Sequence, residues 1–241
     1  MLAAIWLGFH NGLMALSIII PNYNSAVHLK NLLEILSHQI KTRDVQLIVS
    51  DGGSDDEGLK LAIEYGAQIA IGYKGRGAQL ARAIKLARYD WLLFLHSDSL
   101  LGPDFIKCVF THIDKGDKSC AAYFKFRFND NSFAARWVAF MAGLRAKYLA
   151  MPYGDQGLLI PRDLYERIGG YKPLPLFEDL DIIERLGAKR LVGLNAVIIT
   201  DASKYRRDGF IARSLANLKL LRRYKSGEDV SYLAKLYNCE S

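Results

Sequence analysis

The sequence predicts an α/β fold: a mostly parallel sheet flanked by helices, with a helical extension at the C-terminal end. Three observations predict it. Four short apolar runs fall in the first hundred residues, and polar loops and segments with apolar residues at helical spacing separate them. Strands that alternate with helices in this way join by right-handed crossovers into a parallel sheet. The 241 residues, 51% hydrophobic and 24% charged, suffice for one continuous core.

Leu16–Ile20 is the first buried strand, and Leu29, Leu32, Leu33, Leu36 and Ile40 mark a helix over Val27–Ile40. Val45–Val49 is the second strand. Ser54 with Glu57 three residues on has the pattern of a capping box, which would open a helix running to about Tyr65. Gln68–Gly72 and Trp91–Leu95 are the third and fourth strands, with a helix over roughly Gly77–Ala87 between them. Beyond them, Ala121–Arg127 reads as a strand. Phe133, Trp137, Phe140, Met141, Leu144 and Tyr148 form a helical stripe, for which core packing is expected. Gly157–Ile160 is a further strand, as is Leu191–Leu194 or Val197–Thr200; Glu178–Leu186 is an acidic helix and Phe210–Tyr224 a basic one.

Composition narrows the function. Cys108, Cys120 and Cys239 form neither a CxxC pair nor an even set, so neither a disulfide scaffold nor a structural zinc site is expected, and a reducing compartment is. The first twenty residues are apolar, but His10, Asn11 and Gly12 interrupt them and no Lys or Arg precedes them, against a signal peptide or a membrane span. A cytoplasmic protein, at most peripheral to a membrane, is expected. Residues 1–13 are read as an apolar extension, 14–203 as the main domain and 204–241 as a basic helical segment packed on it. The formal charge of +7 favours an anionic partner. The basic residues are dispersed and no nucleic-acid motif accompanies them, so no nucleic acid is expected. No GxGxxG follows the first strand, which disfavours a dinucleotide site.

Ligands on parallel sheets bind at the carboxyl ends of the strands, so the loops after the predicted strands are where chemistry is sought. Pro21-Asn22-Tyr23-Asn24 follows the first, its asparagines suited to cap the next helix. Asp51-Gly52-Gly53-Ser54-Asp55-Asp56 follows the second, with a carboxylate at a strand end and glycines where backbone can approach a ligand. His96-Ser97-Asp98 follows the fourth; if the strand continues, His96 and Asp98 share one face and can grip one cation.

With these loops in this order, and Phe177-Glu178-Asp179 after them, the sequence resembles the family 2 glycosyltransferases over residues 14–200. The resemblance implies a GT-A fold, with a Rossmann-like sheet, and an inverting hexosyltransferase-like enzyme that uses a nucleoside-diphosphate sugar, a UDP-sugar by expectation. The acceptor is unknown. The sequence also resembles a subgroup found beside radical-SAM, selenodomain or arsenosugar genes, through Gly75-Arg76-Gly77, Leu95-His96-Ser97-Asp98 and Gly154-Asp155-Gln156-Gly157.

The resemblance implies roles. Pro21 and Tyr23 would wall the nucleotide base, Asn24 and Ser97 would line the nucleotide site, and Asp51 would accept a hydrogen bond from the base's imide N–H. Arg76 could pair with a phosphate. The family's DxD carboxylates hold Mn²⁺ or Mg²⁺ against the diphosphate. Here His96 replaces the first Asp, so either His96 is a ligand favouring manganese or Asp98 alone anchors the ion. Asp179 would be the general base, with Glu178 beside it raising a carboxyl pKa. Asp155 and Gln156 fall where donor sugar or acceptor binds. Arg206 and Arg207 follow the last strand candidate closely enough to reach the site, and Arg222, Arg223 and Lys225 could attach to anionic lipid. The departure at His96 keeps a second reading open, a nucleotide-sugar binder without turnover.

Overall fold

The computed structural model describes residues 15–239. The extension expected over residues 1–13 lies outside them.

The chain runs β1 (Leu16–Asn22), α1 (Ala26–Gln39), β2 (Val45–Asp51), α2 (Gly58–Glu64), β3 (Gln68–Ile71), α3 (Arg76–Ala83), β4 (Trp91–Phe94), β5 (Leu100–Leu101), α4 (Phe105–Ile113) and β6 (Ala121–Phe128). It continues with α5 (Phe133–Leu149), β7 (Leu158–Pro161), α6 (Arg162–Arg167), α7 (Glu178–Leu186), β8 (Leu191–Thr200), α8 (Ser203–Asp208), α9 (Phe210–Lys225) and α10 (Val230–Cys239). One sheet holds the strands in the order β3-β2-β1-β4-β7-β6-β8-β5. The half from β3 to β4 is parallel throughout, and β7 is antiparallel to both neighbours.

Both faces of the parallel half are covered, which is why its strands read as unbroken apolar runs. Leu29, Leu32, Leu33 and Leu36 of α1 pack with Phe105, Val109 and Phe110 of α4 on one face. Leu80, Leu164, Ile182 and Leu186 pack on the other. The two candidates for a late strand are one strand, β8, whose pairing with β6 shifts register between Phe124 and Lys125.

Three local expectations fail. Ser54 caps no helix; α2 begins at Gly58 with Glu57 in the cap position, and the Ser54 hydroxyl is drawn to Asp51. Neither Asn22 nor Asn24 caps α1, whose first amide, that of Ala26, donates to Asp56. The stripe on α5 is not core: Phe133, Trp137, Phe140, Met141 and Tyr148 are exposed, and the helix buries Ala135, Ala142 and Ala146 instead.

Candidate active site

At the carboxyl ends of β1 and β2 the sequence builds a closed hydrogen-bonded corner. Asp51 is fully buried. Its Oδ1 accepts from the amides of Gly53 and Ser54, both at 2.8 Å, and its Oδ2 from Ser54 Oγ at 2.7 Å and Asn22 Nδ2 at 2.9 Å. These bonds hold its carboxyl below the ordinary value although burial works the other way. Four donors meet the two oxygens of the carboxylate, so Asp51 shapes its own loop. Gln79 ties the same corner together, donating to the carbonyls of Asn22 and Ser50. Asn24 takes a left-handed conformation at φ 45° and accepts from the Asp55 amide. Pro21 is buried within β1. Tyr23 is exposed, with the Lys74 ammonium 4.2 Å from its ring centre.

β4 ends at Phe94, and the segment from His96 to Ser99 is a turn closed by Ser99 N donating to the His96 carbonyl. His96 and Asp98 therefore do not share a strand face. Ser97 lies over the start of α1, its hydroxyl 3.4 Å from that of Ser25. Arg76, opening α3, forms an ion pair with the buried Glu178, and its Nη1 lies 3.4 Å from His96 Nε2. Burial and the Arg76 guanidinium hold the His96 imidazole well below its ordinary value, so the ring is neutral and able to act as a ligand. Burial pushes Asp98 up. Burial opposes the Arg76 charge, but Glu178 and Asp179 outweigh it and raise the guanidinium's pKa.

Asp179 sits in the first turn of α7. Its Oδ2 accepts from Gly154 N at 2.7 Å and its Oδ1 from Leu180 N at 2.8 Å, which leaves each oxygen a free lone pair. Gly154 is needed here, since a Cβ on it would lie 2.6 Å from His96 Nε2 and 3.1 Å from Asp179 Oδ2. Burial lifts the neighbouring Asp155 carboxyl to about 6, helped by Asp179 and Asp98 and opposed by Arg145; its Oδ1 is buried without a hydrogen-bond partner. Gln156 is buried and donates to the Phe124 carbonyl, which fixes the loop to β6. Glu178, not exposed to solvent, is raised by burial and Asp179 against the pull of Arg76. A cavity of about 110 Å³ opens at Asp179, lined among others by Arg76, Tyr153, Phe177, Leu220 and Tyr237.

A family model described as glycosyl transferase family 2 matches residues 17–174. The chain belongs to this family. A glycosyltransferase of uncharacterised activity, YfnE of Bacillus subtilis, is 34% identical over 99 residues, which cover 39% of this chain and 25% of that protein. Validoxylamine A glucosyltransferase of Streptomyces hygroscopicus subsp. jinggangensis is 34% identical over 103 residues, 39% of this chain and 24% of that one. The match thus spans about a quarter of these curated relatives. Among solved structures, S. aureus TarS 1–349 superposes with a TM-score of 0.60 at 19% identity, covering 79% of this chain and 61% of that one. Glucosyl-3-phosphoglycerate synthase from Mycobacterium tuberculosis, in complex with Mn²⁺, UDP and glucosyl-3-phosphoglycerate, gives 0.54 at 20% identity, covering 78% and 70%. The fold is of the GT-A type.

For this family 2 chain the site brings together Arg76, His96, Glu178 and Asp179, with Asp98 and Asp155 within electrostatic reach. It does not gather Arg207, which lies exposed on α8 and bonds Asp208 beside it. The residues present suit a divalent cation. Asp98 is close enough to help raise the Asp155 carboxyl, and the unpartnered Asp155 Oδ1 is an oxygen donor lacking a bond. Among the described residues no group of three His, Cys, Asp or Glu is placed to hold a metal ion. Sequence reasoning gave no role to three residues that border the site. Arg145 caps the loop, its guanidinium 3.5 Å from the Tyr153 ring centre and its Nε donating to the Met151 carbonyl. Phe177 adopts φ 61° at the start of α7, just before Glu178 and Asp179, its ring in tilted contact with Tyr224 at 4.7 Å. Tyr237 reaches the cavity from α10, and no local pattern signals it.

Proposed function

We propose that this chain is an inverting, metal-assisted glycosyltransferase that moves a sugar from a nucleoside-diphosphate sugar, of the UDP type, to an acceptor hydroxyl. The observation that carries it is Asp179. Two backbone amides orient its carboxylate at the mouth of a cavity, with lone pairs left to take a proton. The acceptor hydroxyl gives its proton to Asp179 as its oxygen bonds the anomeric carbon; the bond from that carbon to the diphosphate oxygen breaks on the opposite face, and the nucleoside diphosphate leaves. Glu178 holds Arg76 at the site, where its guanidinium can reach the diphosphate. Asp98 and Asp155 would hold Mn²⁺ or Mg²⁺, with neutral His96 as a further donor favouring Mn²⁺. When bound, the metal neutralises the leaving diphosphate. Tyr23 offers the base an aromatic face, and Asn24 and Ser97 border that site.

The motif resemblance through Gly75-Arg76-Gly77 and Gly154-Asp155-Gln156-Gly157, loops that meet at Asp179 and His96, is what supports the radical-SAM-associated subgroup. Free Cys108 and Cys120 suit a cytoplasmic location. The test is turnover of UDP-, GDP- and dTDP-sugars with and without Mn²⁺. Metal-dependent release of one nucleoside diphosphate is expected. Binding without release, in every case, would instead support the non-catalytic binder.

A further inference from the structure

Helix α5 carries a surface that the catalytic reading does not use. Phe133, Trp137, Phe140, Met141, Tyr148 and Leu149 are exposed on it, Phe133 at 75% and Tyr148 at 70%. Phe133, Trp137 and Phe140 follow one another in ring contact at 6.4 and 6.0 Å, so the apolar surface is continuous rather than scattered. Beside it, between α5 and the strands β6 and β8, runs a groove of about 600 Å³ lined by the cations Lys125, Arg127, Arg136 and Lys147. None of these four is ion-paired among the described residues. The only carboxylate lining the groove, Asp130, bonds Arg206 and the Ser132 amide. α5 itself contains no Asp or Glu.

We propose that this face docks on an anionic lipid bilayer, with the aromatic stripe at the headgroup–acyl boundary and the groove cations on lipid phosphates. Exposed aromatic residues beside Lys and Arg suit the boundary between acyl chains and anionic headgroups. Among the described residues no helix is long and apolar enough to span a membrane, so the contact lies in the plane of the surface. A second copy of the chain fits the face less well. A two-fold contact through α5 would set four uncompensated cations beside four more, with no α5 carboxylate to meet them. The tail is also a poorer candidate than its composition predicts. Arg223 pairs with Glu228 and Lys225 with Glu184, so two of its three cations are neutralised within the chain. The geometry also connects the docking face to the site, because α5 ends at the loop that carries Asp155 and Arg145 fastens that junction.

The test is co-sedimentation of the full chain at low salt with phosphatidylcholine vesicles, with and without about 30% phosphatidylglycerol. Binding should be at least tenfold stronger with phosphatidylglycerol. Each groove cation contributes about fivefold, so Lys125→Gln, Arg127→Gln, Arg136→Gln and Lys147→Gln together should cut binding about 10²- to 10³-fold. Trp137→Ser with Phe140→Ser should also lose binding at an unchanged melting temperature, whereas Arg222→Gln with Lys225→Gln should keep most of it. The proposal is overturned if the wild-type chain ignores the phosphatidylglycerol vesicles, or if the groove variant binds them equally well. It is likewise overturned if the wild type is a dimer that Trp137→Ser with Phe140→Ser makes monomeric, which would assign the face to a second copy.

Discussion

Asp51→Asn separates a loop-forming role from a nucleotide-binding one. The substitution keeps the shape and converts one oxygen into a donor. The amide oxygen can keep the Gly53 and Ser54 backbone bonds, which places its nitrogen 2.9 Å from Asn22 Nδ2, donor against donor. Loss of charge assistance on the surviving bonds costs about 1 kcal/mol each, and the unsatisfied buried donor about 1–3 kcal/mol more, roughly 3–5 kcal/mol in all. At about 2–4 °C per kcal/mol for a chain of this length, the melting temperature should fall by about 10 °C. Thermal unfolding followed by circular dichroism, with and without UDP, reads this directly. The fall should occur in both conditions, and the increment that UDP adds should persist in the variant. The pH dependence has a defined sign. Because the folded carboxyl lies below its ordinary value, its contribution is present above about pH 4 and is lost as the pH falls through the folded value, so the gap between wild type and variant should close in acid. An unchanged melting temperature with the UDP increment abolished would refute the loop role and return Asp51 to the base.

Asp179→Asn should lower kcat by about 10²-fold or more and leave donor affinity nearly unchanged by calorimetry, as loss of a general base requires. Asp98→Asn should abolish metal-dependent turnover with the fold intact, whereas His96→Asp should stay active and shift its preference from Mn²⁺ towards Mg²⁺, seen in metal titrations. Arg76→Met strands Glu178 without its cation and should lower stability by about 3 kcal/mol in denaturant unfolding; adding Glu178→Gln should recover most of that loss while activity stays low. In the metal-free protein the raised Asp155 carboxyl favours folding below its unfolded pKa, and that gain is lost as the pH rises through about 6. The melting temperature should therefore climb more from pH 7 to pH 5 in the wild type than in Asp155→Asn.

The parallel half of the fold was legible because its strands are buried on both faces, so Leu16–Ile20 and Val45–Val49 carry an unbroken apolar signal. The bounds of Glu178–Leu186 match α7, whose apolar face and three first-turn acids are strong local signals. Ser54 misled because the same hydroxyl serves a helix cap or a buried carboxylate, and the choice depends on Asp51 and Asn22. The site was legible as separate motifs and not as a constellation. That Arg76 meets Glu178, 102 residues away, follows from how β1 and β4 order the sheet. Arg145, Phe177 and Tyr237 act through cross-chain contacts or backbone strain, which no spacing encodes.

The stripe on α5 shows how a correct period can give the wrong environment. Helical spacing reports that bulky apolar residues share a side; it does not report which side faces the protein. Here Ala135, Ala142 and Ala146 form the inward face, and their small side chains let the helix lie close on Phe126 and Phe128 of β6. Phe133 and Trp137 lie off that inward face and are exposed. A row of alanines opposite a row of aromatics was therefore the legible sign of an exposed apolar face. The absence of any carboxylate from the helix, beside the cations of the groove, is what favours the negative surface proposed to dock there.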